Sequence, residues 1–156
     1  MTFVGIQGGG DARAQLTRSL ISELKSRGLR VSVLADGGAE AEIDIPGKDS
    51  YEHRRAGACE VLAVSRLRWA LVHEARPDAG QTRPPLDRML ARLAPADIVL
   101  APGIPAEAGI TLDLAANGSL RARAADGATD GAFQLDSPGQ IADFIIDAAA
   151  EKQPIP

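Results

Sequence analysis

Thr2-Phe3-Val4-Gly5-Ile6-Gln7-Gly8-Gly9-Gly10-Asp11, followed by a leucine-periodic stretch and then Val31-Ser32-Val33-Leu34, decides the fold. Residues 2–6 form a short apolar run that ends in three consecutive glycines, the pattern of a buried strand entering a turn. Leu16, Leu20, Ile21 and Leu24 then recur at helical spacing, so residues 12–27 read as a helix. Asp11 is placed to cap its start, and Gly28 to follow its end behind Lys25 and Arg27. Residues 30–34 alternate into a second strand. Strand, glycine loop, helix and strand make a βαβ unit, which predicts a right-handed crossover in a largely parallel sheet.

A glycine loop between a first strand and a helix is where nucleotide-binding folds hold phosphates, because the backbone approaches closely and the helix start offers free N–H groups. Gly8, Gly9, Gly10 and Arg13 are the candidate phosphate contacts. A working loop of this kind also needs a lysine for the β/γ-phosphates and a hydroxyl for magnesium, in the pattern G-x-x-x-x-G-K-[ST]. Here Ala12 stands at the last glycine, Arg13 at the lysine and Ala14 at the hydroxyl. Ala14 has no oxygen for Mg2+, and a planar guanidinium is a poor replacement for a compact ammonium. The loop therefore reads in two ways, as a tight βα turn or as a weakened anion site.

Further along, residues 36–45 read as a loop and residues 49–58 as a short helix, with Asp49 and Glu52 spaced as a capping box. Residues 61–64 and 69–72 are apolar strands, and residues 75–85 a Pro/Gly-rich loop. Leu86, Met89, Leu90 and Leu93 mark a helix over 86–93, and residues 97–101 another buried strand that Pro102 cannot continue. Asn117-Gly118 predicts a hairpin between strands at 110–114 and 120–124, with loop over 125–131. Ile141, Phe144, Ile145 and Ala148 mark a C-terminal helix over 138–150. The organisation expected is one domain over 1–150 and a frayed tail over 151–156.

Composition narrows the classes. The chain has 156 residues, and its net charge of -4 argues against a nucleic-acid or polyanion binder. With aromatics at 3 %, aliphatic side chains must fill the core. The N-terminus has no basic and apolar leader pattern, and no run reaches a membrane span, so a cytoplasmic protein is expected. The single cysteine, Cys59, is read as a small buried residue near a helix end. His53 and His73, twenty residues apart without further clustered ligands, do not make a metal site. Trp69 sits in an apolar strand and is read as core or interface. His73 and Glu74 end that strand.

The segment Pro46-Gly47-Lys48-Asp49-Ser50-Tyr51-Glu52-His53-Arg54-Arg55-Ala56-Gly57-Ala58 reverses the local charge. Lys48, Arg54, Arg55, Arg66 and Arg68 face only Asp49, Glu52 and Glu60 between positions 48 and 68. This suits an anion site in which Lys48 and one of Arg54 or Arg55 converge with Ser50 or a helix N–H. It also suits a solvated helix whose arginines lie along its surface.

Pro46-Gly47-Lys48-Asp49-Ser50-Tyr51, then Arg54 or Arg55, Ala56-Gly57-Ala58 and Arg68-Trp69-Ala70-Leu71, resembles the signature region of the MobB family of molybdopterin-guanine dinucleotide biosynthesis adapter proteins. The resemblance runs on through Pro85-Leu86 and Leu93-Ala94-Pro95-Ala96-Asp97-Ile98-Val99-Leu100, and weakens beyond about Leu114. It implies a P-loop NTPase-like three-layer α/β fold, with a mostly parallel twisted sheet flanked by helices and a C-terminal antiparallel hairpin. It also implies a role in molybdenum-cofactor biosynthesis beside a MobA-type guanylyltransferase, a homodimer, and GTP, molybdopterin or its guanine dinucleotide as ligand. Lys48, Asp49, Ser50, Tyr51, Arg54, Arg55 and Arg68 are the residues it singles out. Three features depart from the family pattern: the loop Gly10-Asp11-Ala12-Arg13-Ala14, Pro102-Gly103 where an acid and a glycine are expected, and Asp36-Gly37-Gly38 in place of a histidine-rich turn. The expectation is an accessory protein with no catalytic residue of its own and no GTP hydrolysis. The alternatives are a GTPase using Arg13 for the lysine, and a scaffold that binds no nucleotide and docks an acidic protein.

Overall fold

Two apolar strands with no polar residue in their middles must be covered on both faces, and the structure does this by placing one beside the other. The computed structural model describes residues 1–37, 43–74, 84–106, 109–125, 127 and 129–150. The chain divides into two compact units, Met1–Asp36 with Leu90–Pro156, and Gly37–Met89. The tail expected over 151–156 lies outside the described residues.

The larger unit is built on β1 (Thr2–Gln7), β2 (Val31–Val33), β5 (Ile98–Pro102), β6 (Ile110–Leu114), β7 (Ser119–Arg123) and β8 (Asp130–Gln134). They form a six-stranded sheet in the order β2-β5-β1-β6-β7-β8. The pairs β2·β5, β5·β1 and β1·β6 are parallel, and β6·β7 and β7·β8 antiparallel. The fold is thus the expected one, a mostly parallel sheet flanked by helices with an antiparallel hairpin at its C-terminal side. The helices α1 (Gly10–Ser26) and α4 (Pro138–Ala150) cover it. Leu16, Leu20 and Leu24 of α1 and Ile141 and Ile145 of α4 are fully buried against Val4, Ile6, Leu100, Leu112 and Leu120. Each such side chain contributes roughly 1.5–3 kcal/mol by leaving water. Among the described residues no helix is long and apolar enough to cross a membrane.

The start of the sheet is held by one carboxylate. Asp97 accepts hydrogen bonds from Arg30 N at 2.8 Å and from its guanidinium at 2.9 and 3.2 Å. Asp97 N donates to Arg30 O, and Thr2 N to Asp97 O, at 2.9 and 2.8 Å. One residue therefore sets the register of β2, β5 and β1 together. The Arg30 side chain, then its backbone N–H, hold the Asp97 carboxyl down at about 2 from an ordinary 3.8, against the opposing effect of desolvation.

The smaller unit carries α2 (Asp49–Arg55), the antiparallel pair β3 (Glu60–Val64) and β4 (Trp69–His73). The short helix α3 (Leu86–Ala91) follows, ending before the expected Leu93.

Several local expectations need correction. Helix α1 begins at Gly10, two residues early, with Gly9 rather than Asp11 at the N-cap and no side-chain cap. The positive φ of Gly10, +63°, sets the turn before Asp11, which instead lies in the first helical turn, where its charge suits the dipole. Likewise Lys48, not Asp49, is the N-cap of α2, so the Asp49/Glu52 capping box is not formed. Cys59 is exposed, because it lies between α2 and a two-stranded sheet with little to bury it. Trp69 is 65 % exposed and is not core. Strand β8 falls partly in what reads as loop, since Asp130 and Gly131 are poor strand formers that gain their place by pairing with Arg123 and Ala122.

Because its folded-state pKa is lowered, Asp97 stabilises the protein above the ordinary carboxylate range, and this is lost as pH falls toward about 2. Asp97→Asn should therefore lower the melting temperature at neutral pH, and the gap to wild type should close as the pH is taken down through that range. A gap that stays constant with pH would refute the linkage.

Candidate functional site

The glycine loop lies at the end of β1, where Gly8 and Gly10 take φ of +109° and +63°. Gly8 is required by packing: a Cβ there would sit 2.4 Å from the Leu114 carbonyl oxygen of the neighbouring β6. Gly9 and Gly10 face open space. The turn reading thus accounts for Gly8, while the next two residues leave room beside the start of α1.

Arg13 occupies part of that room. Its Nη1 donates to the Gly8 carbonyl at 3.0 Å. The same guanidinium lies against Gly103, whose φ is +84° and whose Cβ, were there one, would come 3.4 Å from Nη1. Arg13 therefore fastens the loop after β1 toward the turn after β5. These are the two places where a phosphate-hydrolysing fold of this topology needs a free cation and a carboxylate. Arg13 is directed into the protein's own backbone, Pro102 ends β5 without a carboxylate, and Ala14 offers no metal ligand. The residues present do not fit a magnesium-nucleotide complex poised for hydrolysis.

In the smaller unit, Asp44 is the residue that sequence reasoning missed. It accepts from Ser50 Oγ at 3.2 Å and from Arg54 Nε at 3.4 Å. Arg54 Nη1 also reaches Glu74 Oε2 at 2.9 Å, and the two carboxylates raise the Arg54 pKa. Tyr51 lies under both arginines, 5.1 Å from Arg54 Cζ and 5.9 Å from Arg55 Cζ. Ser50 and Arg54 are thus engaged internally. Among the described residues Lys48, Arg55 and Arg68 form no ion pair, and Asp49 stands in the first turn of α2. His73 Nδ1 lies 2.9 Å from Glu60 Oε1, and Glu74 serves Arg54, so neither of these strand-end residues is left over.

Residues 1–125 match the family profile described as molybdopterin guanine dinucleotide synthesis protein B, MobB. The chain belongs to the MobB family. It is 41 % identical over 69 residues to the molybdopterin-guanine dinucleotide biosynthesis adapter protein of Escherichia coli K12, 44 % of this chain and 39 % of that protein. The adapter protein of Haemophilus influenzae is 36 % identical over 73 residues, 46 % of this chain and 41 % of that one. The matched stretch thus spans about two fifths of either relative. In structure, a crystallised molybdopterin-guanine biosynthesis protein B superposes with a TM-score of 0.63 at 20 % identity, over 95 % of this chain and 99 % of the other. Bacillus subtilis MobB superposes at 0.57 and 18 % identity, over 74 % of this chain and 69 % of that one. Those likenesses establish the MobB fold.

Phosphoryl transfer depends on positioning and charge stabilisation, so a MobB chain with Arg13, Ala14 and Pro102 in these roles should hydrolyse GTP and ATP at background. Placing Gly, Lys and Thr at positions 12, 13 and 14 should raise nucleotide affinity in a calorimetric titration without restoring turnover. Magnesium-dependent turnover by the wild type, abolished in Arg13→Ala, would overturn this.

Proposed function

We propose that this MobB protein is a cytoplasmic accessory factor in molybdenum-cofactor biosynthesis, which binds a phosphate-bearing ligand and presents it to a MobA-type guanylyltransferase. The observation that carries the reading is the family match over residues 1–125 in a chain whose Arg13 is committed to the Gly8 carbonyl. The family membership supports the pathway, and the closed loop supports binding without hydrolysis. The ligand would be molybdopterin, its guanine dinucleotide, or GTP held without catalysis.

The signature segment supplies the contacts. Asp44 and Glu74 fix Arg54, which with Arg55 brackets the Tyr51 ring and stiffens α2. Among the described residues Lys48, Arg55 and Arg68 are cations of that segment without an ion pair and would meet phosphate oxygens, and Arg55 and Arg68 can do so with two parallel N–H donors. Arg54 acts here by holding the helix in shape.

The homodimer belongs to the same proposal. In the β3–β4 register Leu62 pairs with Leu71 and Val64 with Trp69, so these four side chains share one face of a two-stranded sheet. Leu62, Val64 and Trp69 are 58, 72 and 65 % exposed. An isolated two-stranded sheet is marginal in water, and a continuous apolar face on one is a docking surface. A second copy of the chain, presenting the same four residues about a twofold axis, would cover it.

Two measurements test this. Lys48→Ala should weaken GTP or molybdopterin binding by about 1 kcal/mol, roughly fivefold, because an exposed ammonium is screened by water and salt. Unchanged affinity in both titrations would leave the segment a plain surface helix. Trp69→Ser should move the protein from dimer to monomer in light scattering after size exclusion; a wild-type monomer would refute this use of the apolar face.

A further inference from the structure

The β3–β4 hairpin carries opposite charges at its two ends. Its register pairs Glu60 with His73, Leu62 with Leu71 and Val64 with Trp69. Residues two apart along a strand share a face, so these three pairs are successive rows on one face, roughly 7 Å apart. The same count carried into the turn makes Arg66 and Leu67 the fourth row, and puts Ser65 and Arg68 with the opposite face. The face thus runs from an acid and a histidine, through two apolar rows, to an arginine and a leucine.

The tip that bears Arg66 is fixed. Neither Arg66 nor Leu67 takes the positive φ of the usual two-residue hairpin turns. Ser65 closes the turn instead: its N–H donates to the Arg68 carbonyl at 2.7 Å, and its Oγ accepts from Arg68 N at 3.2 Å. A side chain on a turn already held in place loses less freedom when it meets a partner. Both ends of the face are open to such a partner. Leu67 is 81 % exposed and Arg66 is exposed. At the other end Glu60 lies 2.9 Å from His73 Nδ1, and its side chain is 40 % exposed.

Two copies of this face can meet about a twofold axis in two ways. An axis along the strands lays tip over tip, so that Arg66 meets Arg66 and Glu60 meets Glu60. Like charges so placed oppose association. An axis across the strands, passing between the two apolar rows, lays each row over its complement. Leu62 then covers the partner's Val64, and Leu71 the partner's Trp69. Arg66 comes over the partner's Glu60, and Leu67 over the partner's His73. Sheets packed face to face stand roughly 10 Å apart, a gap that an arginine and a glutamate reaching toward each other can span.

We propose that a second copy of the chain packs on this face in the second way, antiparallel, with two symmetric Arg66–Glu60 ion pairs closing the ends of an apolar centre. The proposal rests on the homodimer reading above and adds its orientation. Charge selects that orientation, because the apolar rows alone would accept either one. Arg68, on the opposite face, stays with the signature segment.

Sedimentation equilibrium on the full chain at low ionic strength tests the pairing. Glu60→Arg and Arg66→Glu should each weaken the dimer about tenfold, since each turns two attractive pairs into two repulsive ones. Glu60→Arg with Arg66→Glu in one chain should restore the wild-type constant, and so should an equimolar mixture of the two single variants. That recovery also shows that the single variants are folded. A wild-type dimer that neither single variant weakens would overturn the antiparallel arrangement while leaving the dimer standing, because tip over tip keeps like against like in every homodimer. A dimer weakened by each single variant and not recovered in the double would overturn it too, since Glu60 and Arg66 would then not meet. A wild-type monomer would remove the dimer and this orientation together.

Discussion

The larger unit depends on burying β5 between β2 and β1. Ile98, Val99, Leu100 and Ala101 are all buried, so β5 is covered on both faces and paired along both edges. With so few aromatic side chains, that burial is achieved by aliphatic groups and by close approach of backbone to backbone. Gly5 illustrates the second means: a Cβ there would lie 2.7 Å from the Ile104 carbonyl oxygen. Gly8 is under the same constraint against β6. The first glycine of the loop therefore serves the sheet, and any contact the loop makes has to be arranged within limits that packing sets.

Within those limits the choice of arginine over lysine is decisive. A guanidinium carries several donors in a planar fork and readily finds a carbonyl or a carboxylate nearby. Arg13 finds the Gly8 carbonyl, and Arg54 finds Asp44 and Glu74. In both places a cation that pattern alone would assign to a ligand is used to hold the protein's own chain. Arg121 is the contrasting case, since the carboxylate opposite it is taken by Arg123. Proximity to a glycine loop or to a helix start is thus a poorer guide to a free positive charge than the register of the surrounding strands.

The same distinction explains what was legible. The periodicity of Leu16, Leu20 and Leu24 gave the buried face of α1, Asn117-Gly118 the turn between β6 and β7, and the run ending in Ala150 the bounds of α4. The family was legible from residues 46–71, because order and spacing survive there. The helix caps were not, because whether Asp11 or Asp49 caps a helix depends on where the first turn closes, and glycine conformation shifts that by one or two residues. Nor was the exposure of Trp69 and Cys59, since an apolar strand looks the same whether its cover is another part of the chain or a second molecule.

By itself, the sequence determined the class of fold, the composition of the core, the family, and the absence of a lysine at position 13 and of a hydroxyl at position 14. These follow from residue identity and from short-range periodicity. Tertiary structure decided which charges remain free. Arg54 meets Asp44 and Glu74 across 10 and 20 residues of chain, and Arg27 meets Asp143 across 116. Gln7, Asp113 and Arg121 come into one row through strand pairing alone. A charge is neutralised by what lies within a few ångströms of it, and at such separations along the chain that neighbour is set by sheet register and not by sequence distance.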